Sequence, residues 1–206
     1  CNVARTRPSL RTEAGPTQPP KSPGPASPKR SPILRSVRDM RGPVVRKSSF
    51  PPVVAPDTRV LVLGSLPGDR SLAAGRYYAH PRNRFWHLIG RAIGLELEPL
   101  DYEARLAALL RARVGLWDTV GSARRIGSLD TAIREAEPNP LADLAASLPD
   151  LRAVGFNGKA SARVGMPLLA GRGLALVPLP SSSPANASVP LAEKEKLWAA
   201  LGEFLG

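Results

Sequence analysis

The chain has 206 residues, with 29 Lys and Arg against 17 Asp and Glu, a formal charge of +12. That length suits one domain with an appendage, and the excess of positive charge suits a polyanionic partner, nucleic acid above all. A single cysteine, Cys1, excludes an intrachain disulfide framework, a structural zinc cluster and a Cys-ligated iron–sulfur centre, and His80 and His87 alone leave no basis for a multi-His metal site.

Residues 1–56 hold 12 of the 23 prolines, 11 basic residues and two acids, Glu13 and Asp39, a net of +9; residues 57–206 carry only +3. Pro-, Gly- and Ser-rich stretches such as 19–28 bury little, so the composition predicts a disordered basic tail over 1–56 and a folded domain over 57–206. An Arg- and Ser-rich, acid-poor start also matches an organellar transit peptide, although its proline density opposes the amphipathic helix such peptides use. Cys1 as a lipid-bearing terminus lacks a preceding signal segment; a truncated or misassigned start is the plainer reading.

From Arg59 onward, strand and helix signals alternate. Val60-Leu61-Val62-Leu63 is a continuous apolar run ending at Gly64, as for a strand buried on both faces. Helical spacing follows over 85–93 and 102–110, then a second strand over 114–117. Residues 129–136 and 141–148 read as helices separated by Pro138 and Pro140. A third strand over 151–156, a helix over 159–169, a fourth strand over 174–177 and a final helix entered at Ser188 and Pro190 complete the pattern. Strands separated by helices predict a parallel sheet covered on both sides. No apolar run approaches the roughly 20 residues that span a bilayer, so the expectation is a protein free of membranes in a reducing compartment.

Ligands of open parallel sheets gather beyond the carboxyl ends of the strands. Three loops there form the candidate site. Gly64, Ser65, Leu66, Pro67 and Gly68 make a tight turn that leaves backbone amides for a ligand. Phe156-Asn157-Gly158-Lys159 resembles a phosphate loop but fails as one: Ala153 stands at its first glycine and Ala160 follows the lysine. Asn157 is either a turn residue or an amide aimed at a base edge. The third loop is Ser181-Ser182-Ser183-Pro184-Ala185-Asn186. A serine hydrolase built on it lacks any Gly-x-Ser-x-Gly turn.

Residues 77–86 hold four of the ten aromatics, with Arg76, Arg82 and Arg84 interleaved. Aromatic faces stack on bases and guanidinium groups engage phosphates. Phe85 and Trp86 read as the core face of the next helix, whereas Tyr77 and Tyr78, in the loop, are placed to meet a ligand. Asp118 closes the second strand, either as the one acid suited to base chemistry or as a cap on the next segment.

Gly64-Ser65-Leu66-Pro67-Gly68-Asp69-x-Ser71-Leu72, followed by Tyr77-Tyr78-Ala79-His80-Pro81-Arg82-Asn83-x-Phe85-Trp86, resembles the uracil-DNA glycosylase superfamily, and within it the hypoxanthine-DNA (deoxyinosine) glycosylases. Gly115-Leu116-Trp117-Asp118, Arg125-x-Gly127-Ser128-Leu129-Asp130, the Asn157 loop and the 179–186 segment extend the similarity over about 58–204. The resemblance implies a three-layer α/β/α sandwich around a four-stranded parallel sheet. It also implies metal-free, cofactor-free cleavage of the N-glycosidic bond of a deaminated base, by a monomer of the cytoplasm and nucleoid acting on DNA.

Carried over residue by residue, the similarity makes Asn83 and Asn157 catalytic. Asn83 would hold water or polarise the reacting nucleotide, and Asn157 would recognise the base edge. Residues 64–68 with Tyr77 and Tyr78 would contact the base. Arg82 and the loop of Ser181, Ser182, Ser183, Pro184, Ala185 and Asn186 would meet DNA. Leu66 departs from the pattern, standing where many superfamily members carry a water-activating Asp or Asn, so that role passes to Asn83. A non-catalytic nucleic-acid binder with this fold is the alternative, and a hydrolase of free nucleosides a third.

Overall fold

The computed structural model describes residues 46–206. In chain order it contains β1 (Arg46–Ser48), β2 (Val60–Gly64), α1 (Asp69–Ala74), α2 (Phe85–Ile93), α3 (Tyr102–Arg111), β3 (Val114–Asp118), β4 (Val120–Arg124), β5 (Arg134–Pro138), α4 (Leu141–Ala146), β6 (Ala153–Asn157), α5 (Lys159–Leu169), β7 (Ala175–Leu179) and α6 (Leu191–Ala199). Short 3-10 turns occupy Asp130–Ala132 and Ala200–Phe204.

Four parallel strands form the central sheet in the order β3-β2-β6-β7. Side chains of β2 alternate across it, as strand geometry requires. Val60 and Val62 join Phe85, Trp86, Leu88 and Ile89 of α2, Leu109 of α3 and Trp198 of α6 on one face. Leu61 and Leu63 join Phe156 of β6, Leu141 of α4 and Leu169 of α5 on the other. The result is the expected three-layer α/β/α sandwich. Burying both faces explains why every residue of β2, β3 and β6 is buried and why they are apolar up to the strand ends Asp118 and Asn157.

Two segments differ from the sequence expectation. Residues 46–56, assigned by composition to the tail, are part of the domain. β1 pairs antiparallel with β4, which pairs in turn with β5, making a second, three-stranded sheet. Val53 exchanges backbone hydrogen bonds with Leu116 at 2.8 and 2.9 Å, and Phe50 packs edge-on against Tyr77, ring centroids 5.2 Å apart. Proline-rich composition concealed this because the prolines fall outside the paired positions of an edge. The rest of the predicted tail lies outside the described residues.

The helix expected over 129–136 is also replaced, by a 3-10 turn and the exposed strand β5. Leu129, Ala132 and Ile133 mimic helical spacing, but Leu129 is 57% exposed, and the ladder with β4 takes up the backbone instead.

Candidate active site

Gly64 ends β2 opposite Asp118 at the end of β3. A Cβ at Gly64 would overlap Asp118 Oδ1 and lie 3.1 Å from the Tyr78 hydroxyl; the bare glycine is what allows carboxyl, phenol and strand end to converge. Beyond it, the backbone is held by a buried cation. Arg125, almost fully buried, donates to the Leu66 carbonyl at 3.1 Å and to the Pro67 carbonyl. Ser65 Oγ donates to Asp130 at 2.6 Å, and the Asp69 N–H donates to Ser128 Oγ at 2.9 Å. A trans peptide sets its C=O and the following N–H antiparallel, so drawing the Pro67 carbonyl to Arg125 turns the Gly68 N–H the other way. Neither the Leu66 nor the Gly68 N–H has a backbone partner among the described residues. The Leu66 side chain packs with Val120 and Ala123, so this position offers the site backbone only.

Tyr78 sits at φ 53°, a left-handed conformation that costs a non-glycine residue energy. One face of its ring is covered by Phe85, centroids 3.6 Å apart and planes within 8°; only the other face remains for a base. Burial, with the nearby Asp118 charge, raises the phenol's pKa and keeps it protonated. Tyr77 is 4% exposed and its hydroxyl is shared between the carbonyls of Phe50 and Pro51 at 3.3 and 3.2 Å, so most of its ring packs the domain while one edge borders the cleft lined by Tyr78 and Asn83.

Asn83 accepts from the Phe85 N–H through Oδ1 at 2.9 Å, which fixes the entry into α2. With Oδ1 committed, Nδ2 is its available donor. Asn83 lines a cleft of about 580 Å³ together with Arg76, Tyr78, His80, Trp86 and Tyr102. Arg82 is exposed on a second cleft, shared with Arg84, Ser182, Ser183, Pro184 and Asn186.

Asn157 closes β6 and is 7% exposed. Its Nδ2 donates to Ser182 Oγ at 2.9 Å and to the Tyr78 hydroxyl at 3.3 Å, while Oδ1 accepts from the Ser182 N–H at 2.8 Å. Donor and acceptor are both spent within the protein. In this conformation Asn157 joins Tyr78 to the 181–186 loop. Gly158, at φ 98° with Ser181 Cβ only 3.0 Å from where its own Cβ would be, lets that loop come close. Ser182 also accepts, through its carbonyl, from the Arg84 N–H at 3.0 Å, linking the loop to the Asn83 turn.

The expected groups therefore converge: residues 64–68, Tyr78, Asn83, Asn157 and Ser182. Asp118, weighed in the sequence as base or cap, turns out to be a buried carboxyl accepting from Ser49 Oγ at 2.8 Å. Burial pushes it up to about 7 despite that bond. Ser49 was hidden in the supposed tail. Arg125 was visible as part of a matching motif but without a role. Lys194, which donates to Ser181 and Asn186 carbonyls, gave no signal at all.

The profile of the Uracil DNA glycosylase superfamily matches residues 51–202. The chain is 44% identical over 142 residues to the hypoxanthine DNA glycosylase of Methanosarcina barkeri, covering 69% of this chain and 89% of that one. It is 43% identical over 140 residues to the hypoxanthine DNA glycosylase of Methanosarcina acetivorans, covering 68% and 88%. The solution NMR structure of a candidate uracil DNA glycosylase from Methanosarcina acetivorans superposes with a TM-score of 0.71 at 40% identity, over 78% of this chain and 99% of that one. The chain belongs to the uracil-DNA glycosylase superfamily.

Proposed function

We propose that this DNA glycosylase removes hypoxanthine from deoxyinosine in DNA, with uracil as a second substrate, acting as a cytoplasmic monomer. The names of the two Methanosarcina relatives support the base preference. The chemistry rests on one observation above the others: Asn83, its Oδ1 tied to the Phe85 N–H, is left with Nδ2 as a donor in the cleft it shares with Tyr78.

The target nucleotide has to leave the helical stack before its glycosidic bond is accessible. The face of Tyr78 opposite Phe85 receives the extruded base. As the bond breaks, the sugar gains positive character and the base gains negative charge, which is stabilised by donors already in place. Asn83 Nδ2 holds the attacking water or the reacting nucleotide, and the Leu66 and Gly68 amides supply further contacts. Water adds to the sugar carbon and the base departs with the bonding electrons, to be protonated afterwards. Asn157 acts through Tyr78 and Ser182 as a positioning residue. Arg82 and the 181–186 loop engage the strand and the vacated position.

The test is a labelled duplex with a single deoxyinosine, incubated with excess protein and then treated with alkali to cut abasic sites. Cleavage at the lesion, with weaker cleavage on deoxyuridine, is the expected result. Absence of cleavage on hypoxanthine, uracil and xanthine substrates alike would overturn the proposal and leave a binder that retains the fold.

A further inference from the structure

α6 carries a cation where a helix least favours one. Lys194 lies in its first turn, at the positive end of the helix dipole. The residue is only 5% exposed, and burial lowers the pKa of its ammonium group. Both effects oppose a charged lysine here, so compensating contacts are required. They are found at the two ends of a single loop: Nζ donates to the Ser181 carbonyl at 2.8 Å and to the Asn186 carbonyl at 2.7 Å.

The remaining tethers of this loop are unevenly placed. Pro180 is held by Trp198 Nε1 at 3.0 Å, and Ser182 by Asn157 and the Arg84 N–H. All of these grip the first half. Bonds in the second half are local: Ala185 N–H to Ser183 Oγ, Asn186 N–H to the Ser183 carbonyl, and Ser188 Oγ to Asn186 Oδ1. Among the described residues, Lys194 is the group outside the loop that ties its far end back to its near end. Within the segment it closes, Ser183 and Pro184 line the cleft that also bears Arg82 and Arg84, a cationic rim suited to phosphates.

We propose that Lys194 is a positioning residue that fixes the 181–186 loop in the shape required to enter paired DNA, and that it serves duplex substrates selectively. The inference rests on the glycosylase reading and on the loop's place at the DNA. In a duplex, the lesion must be drawn out and its vacated position supported; in a single strand there is no partner strand to open. A slack loop therefore impairs the first substrate and spares the second.

The experiment uses the full chain as wild type, Lys194→Met and Lys194→Gln. Single-turnover rates at saturating protein are measured on one deoxyinosine oligonucleotide, both alone and annealed to its complement. Lys194→Met is expected to lower the duplex rate by about tenfold or more while the single-strand rate stays within about threefold. Lys194→Gln, retaining an amide donor for one carbonyl, falls between, and it replaces Lys194→Met if that variant does not fold. A duplex-to-single-strand ratio equal to wild type overturns the proposal, whether both rates hold or fall together, because a merely structural role lowers them in parallel. Wild-type protein inactive on both substrates overturns the glycosylase reading, and this inference with it.

Discussion

Asp118 should make the folded state lose stability as pH rises from about 4 to about 7, opposite to the behaviour of a paired surface carboxylate. Its carboxyl is 3% exposed; Ser49 donates to it, Arg125 contributes favourable charge, and Asp130 contributes unfavourable charge. Burial dominates and raises it from the ordinary 3.8 to about 7. Between those values the native state holds a proton that the unfolded chain has released, so stability declines as pH rises through the window. At roughly 1.4 kcal/mol per pKa unit, the full effect is about 4 kcal/mol, of which about 2.5 kcal/mol falls between pH 5 and pH 8. For a domain of this size, that is about 5–10 °C in Tm. The perturbation is Asp118→Asn, similar in shape and without a titrating proton. Urea unfolding of both proteins at pH 5 and pH 8 isolates the term, because the remaining acids titrate in both. Wild type should lose about 2.5 kcal/mol more than the variant on going to pH 8. Parallel pH profiles, or a relative gain by wild type at pH 8, would mean that Asp118 does not hold a proton in the folded state at pH 5.

Asn83→Asp keeps an acceptor for the Phe85 N–H but removes the Nδ2 donor; unfolding free energy should hold while the single-turnover rate on deoxyinosine falls about 10²-fold, and an unchanged rate would remove Asn83 from the chemistry. Arg125→Met strands the Leu66 and Pro67 carbonyls, both bonded to the guanidinium, and should cost about 3 kcal/mol in urea unfolding as well as activity. Removing residues 1–45, which carry nine basic and two acidic side chains, should weaken DNA binding and flatten its salt dependence. Removing 1–56 also takes β1, Ser49 and the half-buried Phe50, and should destabilise the domain by about 3 kcal/mol or more, from the lost Phe50 packing together with the β1–β4 and Val53–Leu116 hydrogen bonds.

The central sheet was legible because burial on both faces leaves a signature that no partner has to be known to read. Val60-Leu61-Val62-Leu63 and Ala153-Val154-Gly155-Phe156 are such strands, and their loops had to lie at one end of the sheet once the strands ran parallel. The small sheet was not legible for the converse reason. Every residue of β5 is exposed, so no apolar alternation marks it, and β1 becomes a strand only through β4. The same division holds within the site. Tyr78, Asn83 and Asn157 stand in loops at strand or helix ends and announce themselves as polar or aromatic groups there. Arg125, Ser49 and Lys194 act across 59, 69 and 13 residues respectively, and no local pattern encodes such a contact.

Those distant contacts also bear on the departure at Leu66. An acid at this position would have to activate water from a side chain that here is 5% exposed and packed on Val120 and Ala123. Restoring a carboxylate would bury a charge among apolar groups, raise its pKa and yield a poor base. The surroundings support a different division of labour. Arg125 turns the carbonyls of 66 and 67 inward, Asp130 holds Ser65, and Asn157 spends its amide on Tyr78 and Ser182. Among the described residues, the donors without a partner around the proposed substrate include Asn83 Nδ2, the Tyr78 hydroxyl and the N–H groups of Leu66 and Gly68. Such a set of donors suits a reaction in which the leaving base gathers negative charge early and water needs placement more than deprotonation. On this argument Leu66→Asp should fail to raise the single-turnover rate and should lower stability above about pH 5, where the unfolded chain ionises freely and the folded one resists.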